Sequence, residues 1–264
     1  MRISIREIKD YLRCPLYYKL KNVDELPVFK TLDEYFSDYF KLALFFYYFS
    51  LLDKKKKSVE GMMKRWEELW FSADMLGNFS EEELRTKSNE AVILVNDFIK
   101  KYGTETVTPI AVNFQYEAIF EGTENLHVTG EVDLIKILND RSRKNETCIC
   151  SFSLRKSYPD LFLVKNDIAL SIASYAFRSN FKSQEDKIII NNIRCAEDTP
   201  TLRTGNDFVR AEKIIRNICA GISNRVFYPA PNNISCSNCP FRILCLNEKS
   251  VNTRGNTNGS KGPN

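Results

Sequence analysis

The sequence predicts one mixed α/β domain, a central sheet of roughly four strands flanked by helices. Three observations point there. Up to residue 103 apolar residues recur at helical spacing, and two segments open on capping boxes. From residue 107 the texture changes to three β-rich stretches separated by turn chemistry. Beyond residue 160 a helix, a strand and another helix follow one another.

Bulk properties narrow the class. A chain of 264 residues can bury a substantial core, and 43% apolar with 27% charged residues is the composition of a soluble globular protein. The net charge is only +4, so no global field demands a nucleic-acid partner, although local basic patches remain open. Eight cysteines without a secretory signal point to an intracellular, reducing compartment, cytoplasm or nucleoid, or a host cell if the chain is viral. Residues 39–52 are strongly apolar and aromatic, but too short to span a bilayer and interrupted by Lys41. A buried helix is expected there, and no membrane segment.

In chain order, Ser4 and Glu7 form a capping box that opens a helix with Ile5, Ile8, Leu12 and Tyr11 toward one face. Pro15 biases Cys14 out of helical geometry, so that helix should end there, with Tyr17 and Tyr18 just beyond. An aromatic-rich helix is expected over 32–53. Lysines 54–57 then form a solvated connection or a phosphate contact. A helix over 58–71 carries Met62, Trp66, Leu69 and Trp70 inward. Ser80 and Glu83 cap a third helix, which Gly103 should stop. Strands are expected over 107–120, 126–138 and 147–154, with a hairpin turn at 121–125. Tyr158 and Pro159 break the chain before a helix over 161–178, a strand over 187–193 and a helix over 207–224. The last residues, 251–264, have nothing to bury and should be disordered.

Near the end, Cys236, Cys239 and Cys245 stand at C-x₂-C-x₅-C spacing, with Pro240 after the second. Three thiols so spaced form three corners of a metal site, and Cys14, followed by Pro15, is the candidate for the fourth. Four thiolates suit zinc or an iron–sulfur cluster. The other cysteines, Cys148, Cys150, Cys195 and Cys219, read as small buried hydrophobes.

The element order, an opening of the S-x-x-x-Y-x-x-C-P type over residues 8–15 and the closing C-x₂-C-P-x₄-C resemble the RecB-type branch of the PD-(D/E)XK nuclease superfamily, in its iron–sulfur members such as the CRISPR-adaptation exonucleases and the AddB nuclease domain. The resemblance spans roughly residues 3–248. It implies a restriction-endonuclease-like core over residues 1–250: a helical insertion at about 30–103, a sheet core at about 105–225, and a clasp of residue 14 with 236–245. It also implies a [4Fe–4S] cluster on Cys14, Cys236, Cys239 and Cys245, with zinc as the alternative. Such a clasp would stabilise the fold by closing a long loop and by coupling metal binding to folding.

The same resemblance implies metal-assisted phosphodiester hydrolysis, with acids on adjacent strands holding Mg²⁺ or Mn²⁺. Asp133, in the family's G-x-x-D-(hydrophobic)₂ pattern, is the first acid, and an Asp among Val132, Leu134 and Ile135 needs a partner. On the next strand Ser151 stands where the second acid belongs and Ser153 where the lysine belongs. A hydroxyl replaces neither charge. Lys156 is out of register, and of the helical Gln-x-x-x-Tyr signature, Ser171 to Tyr175 here, only the tyrosine is kept. The His that the early helix often supplies is absent; the lone His127 lies on the hairpin, and Asp38 is a loose substitute. A displaced site from Glu117, Glu131, Asp133 and Lys156 meets the objection that Lys156 does not share the strand face of Glu131 and Asp133.

The expected function is therefore a nuclease-like subunit of a replication, recombination or repair assembly, without catalysis. It would bind DNA, single-stranded or at duplex ends, and other proteins of the complex. Arg155, Lys156, Tyr175 and lysines 54–57 are the candidate nucleic-acid contacts, with Tyr17 and Tyr18 for stacking. The alternatives are an active metal-dependent nuclease with displaced residues, using Mg²⁺ or Mn²⁺, and a purely structural protein–protein adaptor.

Overall fold

A computed structural model describes residues 1–53, 59–72, 77–103, 105–122, 124–139, 145–157 and 160–246. The expectations for lysines 54–57, for the break at Tyr158 and Pro159 and for the tail from residue 251 lie outside them, as does Thr123 of the hairpin turn. In chain order the elements are β1 (Arg2–Ser4), α1 (Ile5–Arg13), α2 (Pro15–Tyr18), a π-helical turn (Lys19–Val23), α3 (Leu32–Leu52), α4 (Val59–Phe71) and α5 (Glu81–Tyr102). There follow β2 (Val107–Phe120), β3 (Leu126–Leu138), β4 (Glu146–Ser153), α6 (Leu161–Lys165), α7 (Ile168–Phe181), β5 (Lys187–Asn192), β6 (Glu197–Thr201), α8 (Gly205–Ser223) and α9 (Asn233–Ser237). The chain groups into two compact units: Met1–Arg2 with Lys30–Lys213, and Ile3–Phe29 with the chain from Ile214 onward.

The first unit carries strands β2 to β6 of a six-stranded mixed sheet, in which β3, β4, β5 and β6 follow one another and β2 pairs with β3. Strands β2 and β3 are antiparallel with Phe114 opposite Val132, and β3 and β4 are antiparallel with Leu134 opposite Cys150. Strands β4 and β5 are parallel, Ser151 facing Ile190, and a parallel pair needs the crossover that α6 and α7 supply. The mixed α/β class is as the sequence predicts.

Local chemistry explains most boundaries. Capping boxes open α1 at Ser4, α5 at Ser80 and, beyond the sequence reading, α3 at Thr31 with Glu34. At Gly103, which ends α5, a Cβ would stand 2.4 Å from the carbonyl oxygen of Ile99, so a side chain there would collide with the backbone. The core joins α3, α4 and α5: Trp66 and Trp70 stack at 4.9 Å, and Phe36 meets Trp66 edge-on at 5.2 Å. This buried aromatic packing is why the apolar stretch at 39–52 is a core helix, and among the described residues no helix is long and apolar enough to cross a membrane.

Several elements differ from the sequence reading: β1, α2, the π-helical turn and α9 were not expected, the sheet has six strands rather than about four, and two further differences have a local cause. The single helix expected over 161–178 is two, because the Asp167 carboxylate accepts the Leu170 N–H and starts α7 afresh. Strand β6 was not expected: Glu197–Thr201 is short and polar and carries Pro200, which belongs on a sheet edge and gives no strand signal in sequence.

In the second unit, Cys14 adopts an extended backbone (φ −171°, ψ 119°) between α1 and α2, as Pro15 requires. Ile8 is buried, whereas Leu12, expected beside it, is exposed. Tyr17 and Tyr18 are each only 6% exposed. Tyr17 packs against Phe241 at 5.4 Å and Tyr18 stacks on Phe227 at 6.2 Å, so both rings are spent inside the protein and are not free to stack on bases.

Candidate functional site

Asp133 lies in the middle of β3, 6% exposed, and its need for a partner is met from two directions. From β4, the backbone N–H of Phe152 donates to Oδ2 at 2.6 Å and the Ser151 hydroxyl at 3.4 Å. From α3, the Lys41 ammonium stands 3.1 Å from each carboxylate oxygen. The sequence reading missed Lys41 and treated it only as an interruption of an apolar run. The signal was there: a lone charge among Phe40, Ala43 and Leu44, all fully buried, needs a counter-charge just as Asp133 does.

The neighbouring acids are engaged elsewhere. Glu131 accepts from Gln115 Nε2 at 3.2 Å, Glu117 lies 3.2 Å from His127 Nδ1, and Asp38 pairs with Lys30 at 2.6 Å. The Ser153 hydroxyl oxygen accepts the Arg155 N–H at 3.3 Å, closing the end of β4. A magnesium ion asks for near-octahedral oxygen ligands at about 2.0–2.1 Å, with one or two carboxylates among them. Here one carboxylate is present, its oxygens are shared between an ammonium and an amide, and the second acid is a serine. A dication about 4 Å from that ammonium would be opposed by about 8 kcal/mol at an effective dielectric of about 20. The donor set at Asp133 does not fit a divalent ion. Among the described residues no three His, Cys, Asp or Glu side chains are grouped to hold a single metal ion.

Arg155 and Lys156 are exposed on the turn that leaves β4. Arg194, just past β5, donates from Nε to the Leu154 carbonyl at 2.9 Å and pairs with Glu90, which also takes Lys87 at 2.8 Å. Lys87 also pairs with Asp33, and this hydrogen bond above all, with Lys156 and Arg194 behind it, holds the Asp33 carboxyl below its usual range. Lys87, Lys156 and Arg194 thus lie around Asp33, Lys87 and Arg194 being ion-paired with Asp33 and Glu90, while Arg155 and Lys156 stay exposed. Tyr175 is placed differently: its hydroxyl donates to the Ile119 carbonyl at 3.0 Å and its ring stacks on Phe120 at 4.4 Å. Ser171 accepts from Arg203 Nε at 2.9 Å. Arg203 is buried and also donates to the Val164 carbonyl at 2.7 Å, so Ser171 belongs to a clamp around the crossover.

In the second unit Cys14, Cys236, Cys239 and Cys245 all border one cavity of about 220 Å³, whose other walls include Leu16, Tyr17, Leu20, Pro229, Ala230 and Phe241. The two ends of the chain are tied beside it. Leu16 N–H donates to the Tyr228 carbonyl at 3.1 Å, Arg13 to the Ser235 carbonyl at 3.3 Å, and the Tyr11 hydroxyl to the Val226 carbonyl at 2.9 Å. Asn232 caps α9 through the Ser235 N–H at 2.7 Å, which sets Cys236 on the cavity rim. The Ala230 N–H donates to the Cys14 sulfur at 3.4 Å. Arg13 and Arg242 also line the cavity and would offset negative charge on its sulfurs. Thiol donors of this kind are the chemical class that binds zinc or an iron–sulfur cluster. Cys148 and Cys150, by contrast, are fully buried on β4, and burial pushes their thiols up to about 11 and about 12.

A mixed sheet with a parallel β4–β5 pair, an acid on the preceding antiparallel strand and a covering crossover defines a nuclease-like α/β fold. The chain belongs to the PD-(D/E)XK nuclease superfamily, whose profile matches residues 2–246. That membership makes it a nuclease-like protein of nucleic-acid chemistry. A solved structure described as the crystal structure of SSO0001 is similar at 12% identity and a TM-score of 0.34, over 69% of this chain and 79% of that one. No curated protein matches the chain.

Proposed function

We propose that this protein is a non-catalytic, DNA-binding member of the RecB-type, iron–sulfur branch of the superfamily, working as a subunit of a replication, recombination or repair assembly. The observation that carries the reading is the state of Asp133: its carboxylate is neutralised by Lys41, while Ser151 and Ser153 replace the second acid and the strand lysine. DNA binding is supported by Arg155 and Lys156, exposed on the turn that leaves β4, where a phosphate backbone would find positive charge. The cysteines that share one cavity, Cys14, Cys236, Cys239 and Cys245, would hold a [4Fe–4S] cluster that cross-links the chain's two ends. Zinc asks the same sulfurs to converge on one ion and is the weaker fit.

One observation favours a second reading, an active nuclease with displaced residues: Lys41 supplies a lysine beside the family acid from a helix rather than from the strand. Anaerobically purified protein incubated with end-labelled single- and double-stranded DNA plus Mg²⁺ or Mn²⁺ separates the two. Salt-sensitive binding without cleavage is the expected result. Cleavage lost in Asp133→Ala would replace the first reading by the second, and absence of binding would leave only a protein–protein adaptor.

A further inference from the structure

We propose that Lys41 is a resident cation: its ammonium takes the place of a divalent ion at Asp133, so that the nuclease-like site is held neutral and closed without metal. The inference rests on the reading of the site as non-catalytic, and adds how that state is maintained.

The geometry is that of a cation on a carboxylate. Lys41 Nζ is equidistant from Oδ1 and Oδ2, 3.1 Å from each, while Phe152 N–H and the Ser151 hydroxyl fix the carboxylate from β4. Asp133 is almost wholly buried and Lys41 about one-third exposed. The carboxylate therefore cannot rely on water and depends on its partners in the chain.

Charge bookkeeping points the same way. Two carboxylates with a dication make a neutral site; so do one carboxylate and one ammonium. Serine at 151 in place of an acid and lysine at 41 beside Asp133 are then matched changes: either alone would leave a buried charge without its complement. Two consequences follow. Restoring an acid at 151 should not by itself restore metal binding, because the ammonium still occupies the place. Removing the ammonium should cost stability, and that cost should shrink when Asp133 is made neutral as well.

The test is a Mn²⁺ titration of the full chain in the absence of DNA, read by the electron paramagnetic resonance of the free ion and by melting temperature. It compares wild type, Ser151→Glu, Lys41→Met and the Ser151→Glu/Lys41→Met double variant, with Asp133→Asn in each background defining the binding that belongs to this site. Wild type and Ser151→Glu should show no Asp133-dependent binding. The double variant should gain it, tighter by about tenfold or more, the scale on which groups around a metal alter its affinity. Lys41→Met should lower the melting temperature, and Lys41→Met/Asp133→Asn should recover part of the loss.

Asp133-dependent Mn²⁺ binding by wild type would overturn the inference. So would a Ser151→Glu variant that binds as tightly as the double variant, or a folded double variant that gains nothing. Should the double variant not fold, the wild-type titration and the melting-temperature cycle decide. Mn²⁺ bound by wild type that still binds DNA without cutting it would sink this inference and spare the proposed function; Asp133-dependent cleavage would sink the function itself.

Discussion

At Asp133 the carboxylate finds its counter-charge within its own unit, while in the other unit four cysteine sulfurs border an apolar cavity of about 220 Å³. Both regions gather metal-ligating side chains, and they differ in what completes them. The first is completed by a lysine, two strands and a backbone amide, so it needs nothing from outside. The second presents soft donors around an apolar void, with Arg13 and Arg242 among its walls. What the contrast teaches is that the presence of the family's ligands is a poor guide to metal; the partners already in place decide.

The hardest test of that contrast is at the cavity. Replacing any one of Cys14, Cys236, Cys239 or Cys245 by Ser should remove bound iron and sulfide and, because metal binding is coupled to folding, cost several kcal/mol and most of the soluble yield. Iron and sulfide assays on anaerobic preparations would show it, and a soluble variant with full metal content would break the comparison. Next in size, Lys41→Met should destabilise by about 2 kcal/mol, less than the 3–5 kcal/mol of a fully buried pair because Lys41 keeps some contact with water. Denaturant unfolding measures it, and an unchanged midpoint would mean that Asp133 does not depend on Lys41.

Smaller is the frame around the cavity. A Cβ on Gly221 would stand 2.3 Å from the Tyr11 hydroxyl, which donates to the Val226 carbonyl. Gly221→Ala should therefore cost about 1–2 kcal/mol, and Tyr11→Phe in the same chain should relieve part of it. A difference in reactivity should separate the two cysteine populations. With their thiols raised to about 11 and about 12 by burial, Cys148 and Cys150 should resist alkylation in the folded protein near neutral pH, while the four cavity cysteines should react once metal is stripped. Mass-spectrometric mapping reads the order directly.

The smallest effect concerns Asp33, half a turn into α3. Its folded carboxyl is held down chiefly by the Lys87 hydrogen bond, so its contribution is present above the unfolded value of about 3.9 and fades as pH falls through the lowered folded value. Lys87→Met should flatten the acid limb of the stability profile in that window and leave stability near neutral pH affected mainly by lost packing. An unaltered acid limb would place the stabilisation of Asp33 elsewhere.

Most of the fold was legible because its signals are local. Capping boxes at Ser4 and Ser80 act over three residues, Pro15 sets the backbone of Cys14, and β-rich composition bounded by turn residues marks β2 and β3. The C-x₂-C-x₅-C spacing likewise singled out three cysteines on one segment, with Cys14 before Pro15 as the candidate for a fourth. Less legible were elements whose sequence argues weakly for what they do: polar β6, kept as a strand by pairing with β5, and Asp167, whose cap divides the crossover helix.

By itself, then, the sequence determined the mixed α/β class, the helix starts, the cysteine spacing and the fact that Asp133 required a partner. Which partner it found was decided only in three dimensions. Lys41 and Asp133 are 92 residues apart, and no local periodicity encodes such a pairing. The same holds for Tyr17 and Tyr18, read as available surface rings but buried by Phe241 and Phe227, more than 200 residues on. Hydrogen-bonded caps, β-rich composition and turn residues are short-range signals and can be read along the chain. Burial and charge pairing are long-range, and exist only once the chain has closed on itself.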